Sequence, residues 1–468
     1  MRELALLVSV SGCIAVAGIA YLVLKRTVLD IRFVQRNPWG LLWYLSIALV
    51  LIPLILVSYL GIDRIKVFYI AYPGLELPVT EITLVTLGTY ILSLGIFLRL
   101  FGLSYKKWVM DSPLNAKWLY KKLTNICFAL SLFNIFMLGI FYFFGYKHAF
   151  LTSVIEGTPL LKVRLMNKYS SQVPSQVASL VFTAGYLLAI FSGYVGRYSI
   201  ARSVVYLTIA LLTLTAPGDK APLVIGILLW IFAQGALLPR RFFSLKLFRS
   251  LMLIILVSLG LIYLGYSLNV SRWSSFEEFG TYLVNRLGIG QMAGMYETLA
   301  LAKQGYLPES NFFWHMIPFA RFYVDYIDYQ KYLMMITEGY EFTEMGVKNT
   351  YFVAEAYAMG GIWLAALSPV IVAFASSLSL YCLMKMFKSA VGSELAIVAV
   401  PIYFLTHDIT GGFGSFPLLK GLLLLTLHLG VLWGWWRFVS FIRFGLVKKS
   451  PRVLPRTTMN KPCISNQK

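Results

Sequence analysis

The amino-acid sequence predicts an all-α integral membrane protein that crosses the bilayer many times. Of its 468 residues, 59% are hydrophobic and only 13% are charged, whereas soluble domains are about 45–50% apolar and about 25% charged. The mean hydropathy is +0.74. Long apolar runs recur along the chain, and a run of about 20 residues can cross the roughly 30 Å hydrocarbon core as a helix.

The first apolar run, residues 3–24, is interpreted as a retained span. It ends at Lys25-Arg26, whereas a cleavable signal has its basic residues before a shorter apolar core. With the runs that follow, we predict about 11 transmembrane helices in one membrane domain, residues 1–468. In chain order the spans cover residues 3–24, 38–61, 80–101, 124–146, 178–196, 203–217, 221–238, 250–267, 360–383, 395–411 and 416–440.

Lysine and arginine concentrate in loops on alternate sides of these spans, which sets the predicted orientation. Such clusters mark cytoplasmic loops, so we place the N-terminus outside and the C-terminus, with a tail of residues 441–468, in the cytoplasm. The same placement accounts for the net charge of +21 without nucleic acid, which we do not expect as a partner. Before the tail, the clusters are Lys25, Arg26, Arg32 and Arg36; Lys106, Lys107, Lys117, Lys121 and Lys122; Arg197 and Arg202; Arg240, Arg241, Lys246 and Arg249; and Lys385 and Lys388.

Two segments on the outer side are long. Residues 147–177 form the first, and residues 268–349 form a larger loop with six Lys or Arg against nine Asp or Glu. The many aromatic residues of the larger loop separate it from linkers, which are rich in Gly, Ser or Pro. We therefore expect it to contain short helices packed on the membrane surface.

The sequence contains neither a soluble-enzyme motif nor a metal-binding pattern. There is no GxGxxG after a strand, no P-loop and no GxSxG. The four histidines lack the HxxxH spacing of a metal site, and no two of the four cysteines share a soluble loop. We predict no cofactor, no metal and no disulfide framework.

Several cations are predicted to lie on the outer side, at or near membrane depth. An unpaired charge there is costly, so each needs a partner. A guanidinium grips phosphate oxygens in pairs, whereas lysine acts as a point charge. Pairing with nearby acids or snorkelling to headgroups remains the alternative, and Gly218-Asp219-Lys220 also fits a tight turn or the tip of a re-entrant hairpin. The cations are Arg164, Lys220, Arg272, Arg286, Arg321 and Lys348.

The stretch 311–332 is unusual in combining a histidine, an arginine, two aspartates and nine aromatic rings. Tyr and Trp favour the membrane interface, and ring faces also stack on sugars in a cleft. Glu355 follows at the start of the next span, where a carboxylate needs a basic partner or a substrate hydroxyl. Interfacial packing remains the alternative for His315.

Four stretches support a resemblance by their order. They are VRLMNKYSSQVPSQVASL, TLTAPGDKAPLVIGILLW, TYLVNRLGIGQMAGMYETLALA, and FFWHMIPFARF followed by NTYFVAEAYAMGGIWLAAL. In this order they resemble the Wzy-type polymerases of bacterial surface polysaccharides, also called O-antigen or oligosaccharide repeat-unit polymerases. The resemblance covers residues 150–375, about half of the chain. Lys220 stands where many members of that family have arginine.

The resemblance implies a membrane glycosyltransferase of the C-type fold in the bacterial inner membrane, with a large periplasmic loop. Such enzymes join repeat units carried on undecaprenyl pyrophosphate at the periplasmic face, without metal or nucleotide. The implied partners are these lipid-linked glycans, membrane lipid and a chain-length regulator protein. The alternatives are an O-antigen ligase of the same superfamily and a lipid-linked oligosaccharide flippase or transporter.

Roles for individual residues follow from this implied chemistry. A departing pyrophosphate develops negative charge that preorganised cations stabilise, and the attacking sugar hydroxyl needs a proton acceptor. The cations assigned to pyrophosphate are Arg164, Lys220, Arg286 and Arg321. The candidates for the acceptor, in no order, are His315, Glu297 and Glu355. The expected sugar contacts are Tyr296, Trp314 and Tyr326.

Overall fold

The computed structural model describes most of the chain, and within it the secondary structure is helical. The described residues are 2–33, 38–65, 70–110, 116–170, 173–218, 220–235, 275–307, 312–317, 328–338, 349–406 and 411–448, with the single positions 260, 263, 320, 323, 324 and 409. Among them, β pairing is limited to an isolated bridge between Thr27 and Ser104. The all-α prediction is confirmed for this part of the chain.

The α-helices of the described residues are numbered here in chain order. They are α1 (Arg2–Val23), α2 (Gly40–Leu60), α3 (Glu76–Leu100), α4 (Ala116–Phe143), α5 (Ala149–Glu156), α6 (Leu160–Ser170), α7 (Ser175–Gly196), α8 (Ile200–Thr215), α9 (Lys220–Gly235), α10 (Phe276–Leu283), α11 (Ala293–Gln304), α12 (Tyr329–Glu338), α13 (Tyr351–Val391), α14 (Ala399–Thr406) and α15 (Lys420–Lys448).

Seven of these helices are long and apolar enough to cross a membrane: α1, α2, α3, α4, α7, α13 and α15. The chain is therefore a multi-pass membrane protein, as predicted. Three predicted spans correspond to shorter apolar helices, Ile200–Thr215, Pro222–Gly235 and Leu395–Leu405. The predicted span 250–267 lies outside the described residues, so the total of 11 and the C-type fold stay predictions.

Small polar side chains join the first three spans. The hydroxyl of Ser9 on α1 lies 2.8 Å from that of Ser58 on α2 and 3.3 Å from that of Thr80 on α3. All three residues are buried. Because lipid offers apolar helices no hydrophobic reason to associate, close packing and hydrogen bonds of this kind hold spans together.

The basic loops meet at one end of the helix bundle. The carbonyl of Arg26, after α1, accepts a hydrogen bond from the backbone of Tyr105, after α3, at 2.9 Å. The ammonium of Lys388 lies 5.7 Å from the centre of the Trp108 ring. Lys122 of α4 donates to a backbone carbonyl at the end of α13 at 2.6 Å. This grouping agrees with the pattern that the positive-inside rule requires; which side of the membrane it faces stays a prediction.

Helix α13 is broken near its start by a glycine pair. Gly361 has a φ of +65°, a conformation that residues with a side chain rarely adopt. The residues before the break, Tyr351–Met359, are almost all buried, whereas Gly360 and the residues directly after it are exposed. The sequence therefore forms a short interior helix first and a long span afterwards.

The short interior helix turns back against the long span. The ring of Phe352 contacts Tyr90 of α3, and the ring of Phe374 contacts Phe97 of α3. The two contacts are 374 − 352 = 22 residues apart on α13 but 97 − 90 = 7 apart on α3. A continuous helix would rise about 33 Å over the first interval and about 10 Å over the second. The reversal at the glycine pair accounts for the difference and leaves the start of α13 inside the bundle.

Short helices also occupy the two long segments that are predicted to lie on the outer side. Helices α5 and α6 lie in residues 147–177, and α10, α11 and α12 lie in residues 268–349. Helix α10 begins with a capping box, in which Ser275 and Glu278 each accept a hydrogen bond from the backbone nitrogen of the other at 3.1 Å. The short helices expected from the composition of the larger segment are therefore present in its described part.

Candidate functional site

The interior helix of α13 places a carboxylate against an imidazole. Glu355 is fully buried, and its Oε1 lies 2.7 Å from Nδ1 of His315. Its Oε2 accepts a hydrogen bond from the backbone nitrogen of Gly414 at 3.3 Å. A buried carboxylate needs such partners because little water reaches it. Two of the three acid–base candidates from the sequence are thus in direct contact.

A second carboxylate faces the other nitrogen of the same ring. Nε2 of His315 lies 3.5 Å from Oδ1 of Asp328, and the two side chains are 18% and 15% exposed. An ionised Glu355 would only accept a hydrogen bond, so in that state the proton of this contact lies on Nδ1. Nε2 is then the nitrogen that can take a further proton, and the two carboxylates stabilise the imidazolium that forms.

A glycine-containing loop between α14 and α15 closes over this pair. A Cβ atom added to Gly412 would overlap the carboxylate of Glu355, and one added to Gly414 would overlap the ring of His315. The amide of Gln330 on α12 is also close, 3.1 Å from such an atom on Gly412. The loop backbone can approach the two side chains this closely only because neither loop position has a side chain of its own.

The first residue of α15 fixes the segment that bears the histidine. Lys420 donates a hydrogen bond from Nζ to the backbone carbonyl of His315 at 2.7 Å. The site therefore joins four separate segments of the chain, at residues 312–316, 328–330, 355 and 412–420. We call His315, Asp328 and Glu355 the acid–base cluster.

Aromatic rings surround the acid–base cluster on the side of α12. The ring of Phe312 lies 5.1 Å from that of Tyr329 and 5.2 Å from that of Tyr332. In the same short 3-10 helix as His315, Trp314 is 37% exposed and Phe313 is 52% exposed. Of the predicted sugar contacts, Trp314 is therefore the one that the structure shows with an accessible ring.

The predicted site residues of α11 lie deeper in the protein. Tyr296 and Glu297 are both fully buried. Burial raises the pKa of Tyr296. The hydroxyl of Thr298, the next residue, lies 2.6 Å from that of Tyr329, which couples α11 to α12 and so helps to position Asp328. Tyr296 stays a prediction as a sugar contact and Glu297 as a proton acceptor, but both residues are less accessible than Trp314 or His315.

One of the predicted pyrophosphate cations, Arg164, lies beside the turn between α8 and α9. Arg164 is an exposed residue of α6, and an atom added at Gly218 would lie 3.1 Å from its Cγ. Gly218 has a φ of +85°, and Lys220 begins α9 two residues later. The structure thus places Arg164 beside the backbone from which Lys220 extends.

The remaining predicted site residues are only partly described, or not at all. Arg286 lies in a π-helical stretch, Val284–Ile289, that follows α10 directly. Its side chain and that of Lys220 are not among the described ones. Arg321 and Tyr326 lie outside the described residues, as do the predicted cations Arg272 and Lys348.

His148 anchors the segment that presents Arg164. Its Nε2 lies 2.8 Å from the carbonyl of Leu212 on α8, and its Nδ1 accepts a hydrogen bond from the backbone of Leu151 at 3.2 Å. The backbone of Ala149 donates to the carbonyl of Ala216 at 2.8 Å. Because Nδ1 accepts and the carbonyl at Nε2 also accepts, the docked ring is neutral with its proton on Nε2.

This anchor predicts that α5 and α6 loosen at acidic pH. Burial lowers the pKa of His148, although the carbonyl of Leu212 opposes that effect. The undocked ring therefore binds a proton at higher pH than the docked ring, so docking weakens as pH falls below the ordinary value of about 6.5 and is constant well above it. Hydrogen-exchange protection of residues 149–170 should be lower at pH 5.5 than at pH 7.5.

A His148→Asn variant is the control for the pH prediction. Asparagine accepts a hydrogen bond at a helix N-cap but does not titrate in this range, so protection of the same residues should no longer depend on pH. Equal protection at both pH values in the native protein would show that His148 does not control the docking of α5 and α6.

Comparison with known proteins leaves the family open. No protein-family model matches the chain, and no curated protein or solved structure shows significant similarity to it. A functional assignment therefore depends on the geometry of the site and on the sequence resemblance.

Sequence reasoning missed three residues that complete the site: Asp328, Gln330 and Lys420. Each of them lies at the start of a helix or directly before it, where polar residues are common and do not indicate a functional site. The glycines at 411, 412 and 414 indicate a turn in the sequence, and what they approach becomes visible only in the structure.

Proposed function

We propose that this protein is a membrane glycosyltransferase that joins undecaprenyl-pyrophosphate-linked oligosaccharide repeat units into a surface polysaccharide. The observation that supports the proposal most is the acid–base cluster, an imidazole between two carboxylates in a multi-pass membrane protein. Such an arrangement serves reactions in which a hydroxyl must lose its proton as it attacks.

In the proposed reaction the acceptor sugar hydroxyl donates its proton to Nε2 of His315. The hydroxyl oxygen forms a new bond to the anomeric carbon of the growing chain, while the bond from that carbon to the pyrophosphate oxygen breaks. Glu355 holds the ring through Nδ1, and Asp328 stabilises the imidazolium. The exposed ring of Trp314 offers a stacking face to the sugar.

The lipid pyrophosphate leaves with the bonding electrons, so negative charge develops at its oxygens. Cations near the outer surface stabilise that charge in proportion to how well they are preorganised. We assign this role to Arg164, Lys220, Arg286 and Arg321. Support for the assignment comes from the position of Arg164 beside the turn that precedes Lys220.

The test of the pyrophosphate assignment compares Arg164→Ala with Arg164→Lys. The alanine variant is expected to lose most of the long glycans, with elongation reduced about 10- to 100-fold, because removing one preorganised donor costs that much or more in comparable sites. Lysine keeps the positive charge but cannot donate two parallel hydrogen bonds to a phosphate. The Arg164→Lys variant should therefore restore part of the ladder of long glycans. The readout is glycan length on a gel at matched protein abundance.

Lys162→Ala is the matched control, since Lys162 is also an exposed cation of α6, and it should give a normal ladder. A full ladder from Arg164→Ala would refute the phosphate-binding role.

Deletion of the whole protein distinguishes the proposed polymerase from its alternative, an O-antigen ligase. A polymerase deletion leaves single repeat units attached to the cell surface, whereas a ligase deletion leaves no attached glycan.

A further inference from the structure

A polar pocket of about 270 Å³ lies where the start of α1, the end of α2 and the start of α3 meet. We call it the span-end pocket. It shares no lining residue with the acid–base cluster. Its charged lining residues are Arg2, Asp63 and Glu76, and its uncharged ones are Ala5, Gly61, Pro73, Gly74 and Leu77.

Two carboxylates are placed on the short turn that follows α2. Glu76 is only 8% exposed, and its carboxylate accepts hydrogen bonds from the backbone nitrogens of Gly74 at 2.7 Å and Ile62 at 3.4 Å. The exposed Asp63 lies against Gly61, where an added Cβ atom would be 2.7 Å from its Oδ1. Within the described part of the chain, neither carboxylate forms an ion pair. Because a buried carboxylate is stabilised by a paired cation, the span-end pocket favours a ligand with a positive group.

The guanidinium of Arg2 lies beside the same turn. It donates a hydrogen bond to the backbone carbonyl of Tyr59, and its Cζ would be 3.5 Å from the same added atom on Gly61. Arg2 is exposed, so its other N–H groups can reach an anion, and phosphate oxygens suit their geometry. A guanidinium also repels a bare metal ion. The ligand that fits this pocket therefore carries a positive and a negative group together.

The span-end pocket lies at the depth of lipid headgroups. All three helices whose ends form it are long and apolar enough to cross a membrane. Directly after Arg2, α1 exposes the apolar side chains of Leu4 and Leu7, which are 51% and 66% exposed. A lipid whose headgroup enters the pocket can therefore leave its acyl chains against α1, in the hydrocarbon of the bilayer.

We propose that the span-end pocket binds the headgroup of phosphatidylethanolamine, with the ammonium between Asp63 and Glu76 and the phosphate on Arg2. Two methylene groups separate the ammonium from the phosphate ester, so one headgroup reaches both charges of the pocket. A primary ammonium donates three hydrogen bonds to carboxylates, whereas the trimethylated nitrogen of choline has no N–H. A glycerol headgroup supplies no positive charge. The site is independent of the proposed transferase activity.

The test measures lipid retained by the full-length protein. Protein is reconstituted with equal amounts of phosphatidylethanolamine, phosphatidylcholine and phosphatidylglycerol of the same acyl chains, extracted in mild detergent and examined by native mass spectrometry. Phosphatidylethanolamine should be retained at least about fivefold over each of the others, as hydrogen-bonded ion pairs predict. Equal retention of phosphatidylethanolamine and phosphatidylcholine would overturn the proposal, because the carboxylates would then be neutralised without the lipid ammonium.

Substitution of the carboxylates locates the ammonium. Asp63→Asn should bring the preference for phosphatidylethanolamine over phosphatidylcholine to within about twofold, because the ion pair is lost. Glu76→Gln should act in the same direction, but Asp63 decides the outcome because its exposed position tolerates the change without unfolding. Glu81→Gln is the matched control, since Glu81 is an exposed acid of α3 that does not line the pocket. A full preference in Asp63→Asn would overturn the assignment of the ammonium.

Substitution of Arg2 tests the phosphate contact. Arg2→Gln should reduce retained phosphatidylethanolamine at least about fivefold, since the charged hydrogen bonds to phosphate are lost. Arg64→Gln is the matched control, because Arg64 is exposed next to Asp63 but does not line the pocket, and it should retain the lipid as the native protein does. Equal losses in Arg2→Gln and Arg64→Gln would show a general effect of surface charge and overturn the site.

Discussion

Replacing His315 with glutamine is expected to abolish glycan elongation while the protein still inserts and folds. Glutamine keeps a polar side chain next to Glu355 but cannot take up a proton, and general-base catalysis typically contributes about 10²- to 10⁴-fold in rate. Elongation by purified protein on a lipid-linked repeat unit should fall by that factor. Glu355→Gln should have a similar effect because it removes the charge that holds Nδ1 and stabilises the imidazolium.

The control for this prediction is another buried histidine. His428 on α15 contacts the hydroxyl of Thr183 at 3.2 Å, distant in the chain from the acid–base cluster, and His428→Gln should elongate glycans normally. Glu297→Gln decides between the candidate bases. Elongation that survives in His315→Gln but is lost in Glu297→Gln would identify Glu297 on α11, rather than His315, as the general base.

The positions of most spans could be predicted from the sequence, because length and apolarity alone determine whether a segment crosses lipid. The predicted span 80–101 corresponds to Glu76–Leu100, and 38–61 corresponds to Gly40–Leu60. The predicted span 395–411 is less regular. It consists of a 3-10 segment, Ser393–Val398, and a short α-helix, Ala399–Thr406, after which the chain turns toward Glu355.

The reversal within α13 could not be predicted from hydropathy. The predicted span 360–383 begins at Gly360-Gly361, so hydropathy located the long segment but did not show that the residues before the pair form a separate interior helix. The glycine pair indicates flexibility, but its direction of bending depends on the packing against α3. That packing is what places Glu355 in the interior.

Of the three residues in the acid–base cluster, His315 and Glu355 could be predicted from the sequence and Asp328 could not. His315 and Glu355 stand out in the sequence because charged or titratable groups are rare in apolar segments. Their contact joins residues 40 positions apart, and the contact from Lys420 to His315 spans 105. Pairings over such distances depend on the tertiary fold, so a single sequence identifies the exceptional residues without identifying their partners.

Gly412→Ala is expected to reduce the proposed glycan elongation nearly as much as His315→Gln does. The added methyl group would occupy the position of the Glu355 carboxylate. A free glutamate would move aside at little cost, but Glu355 is fully buried and held by His315 and the backbone of Gly414. Either the carboxylate leaves the imidazole or the loop leaves the cluster, and each outcome disrupts the alignment that proton transfer needs.

A double-mutant cycle tests whether this contact is the cause. Glu355→Asp shortens the side chain by one methylene and makes room for the methyl group, so Gly412→Ala should cost much less in the Glu355→Asp background than in the native one. Neighbouring residues that share a contact show such non-additivity, whereas independent sites do not. Gly139→Ala, at an open position on α4, should leave elongation unchanged. Additive effects of Gly412→Ala and Glu355→Asp would mean that the loop acts on elongation by another route than its contact with Glu355.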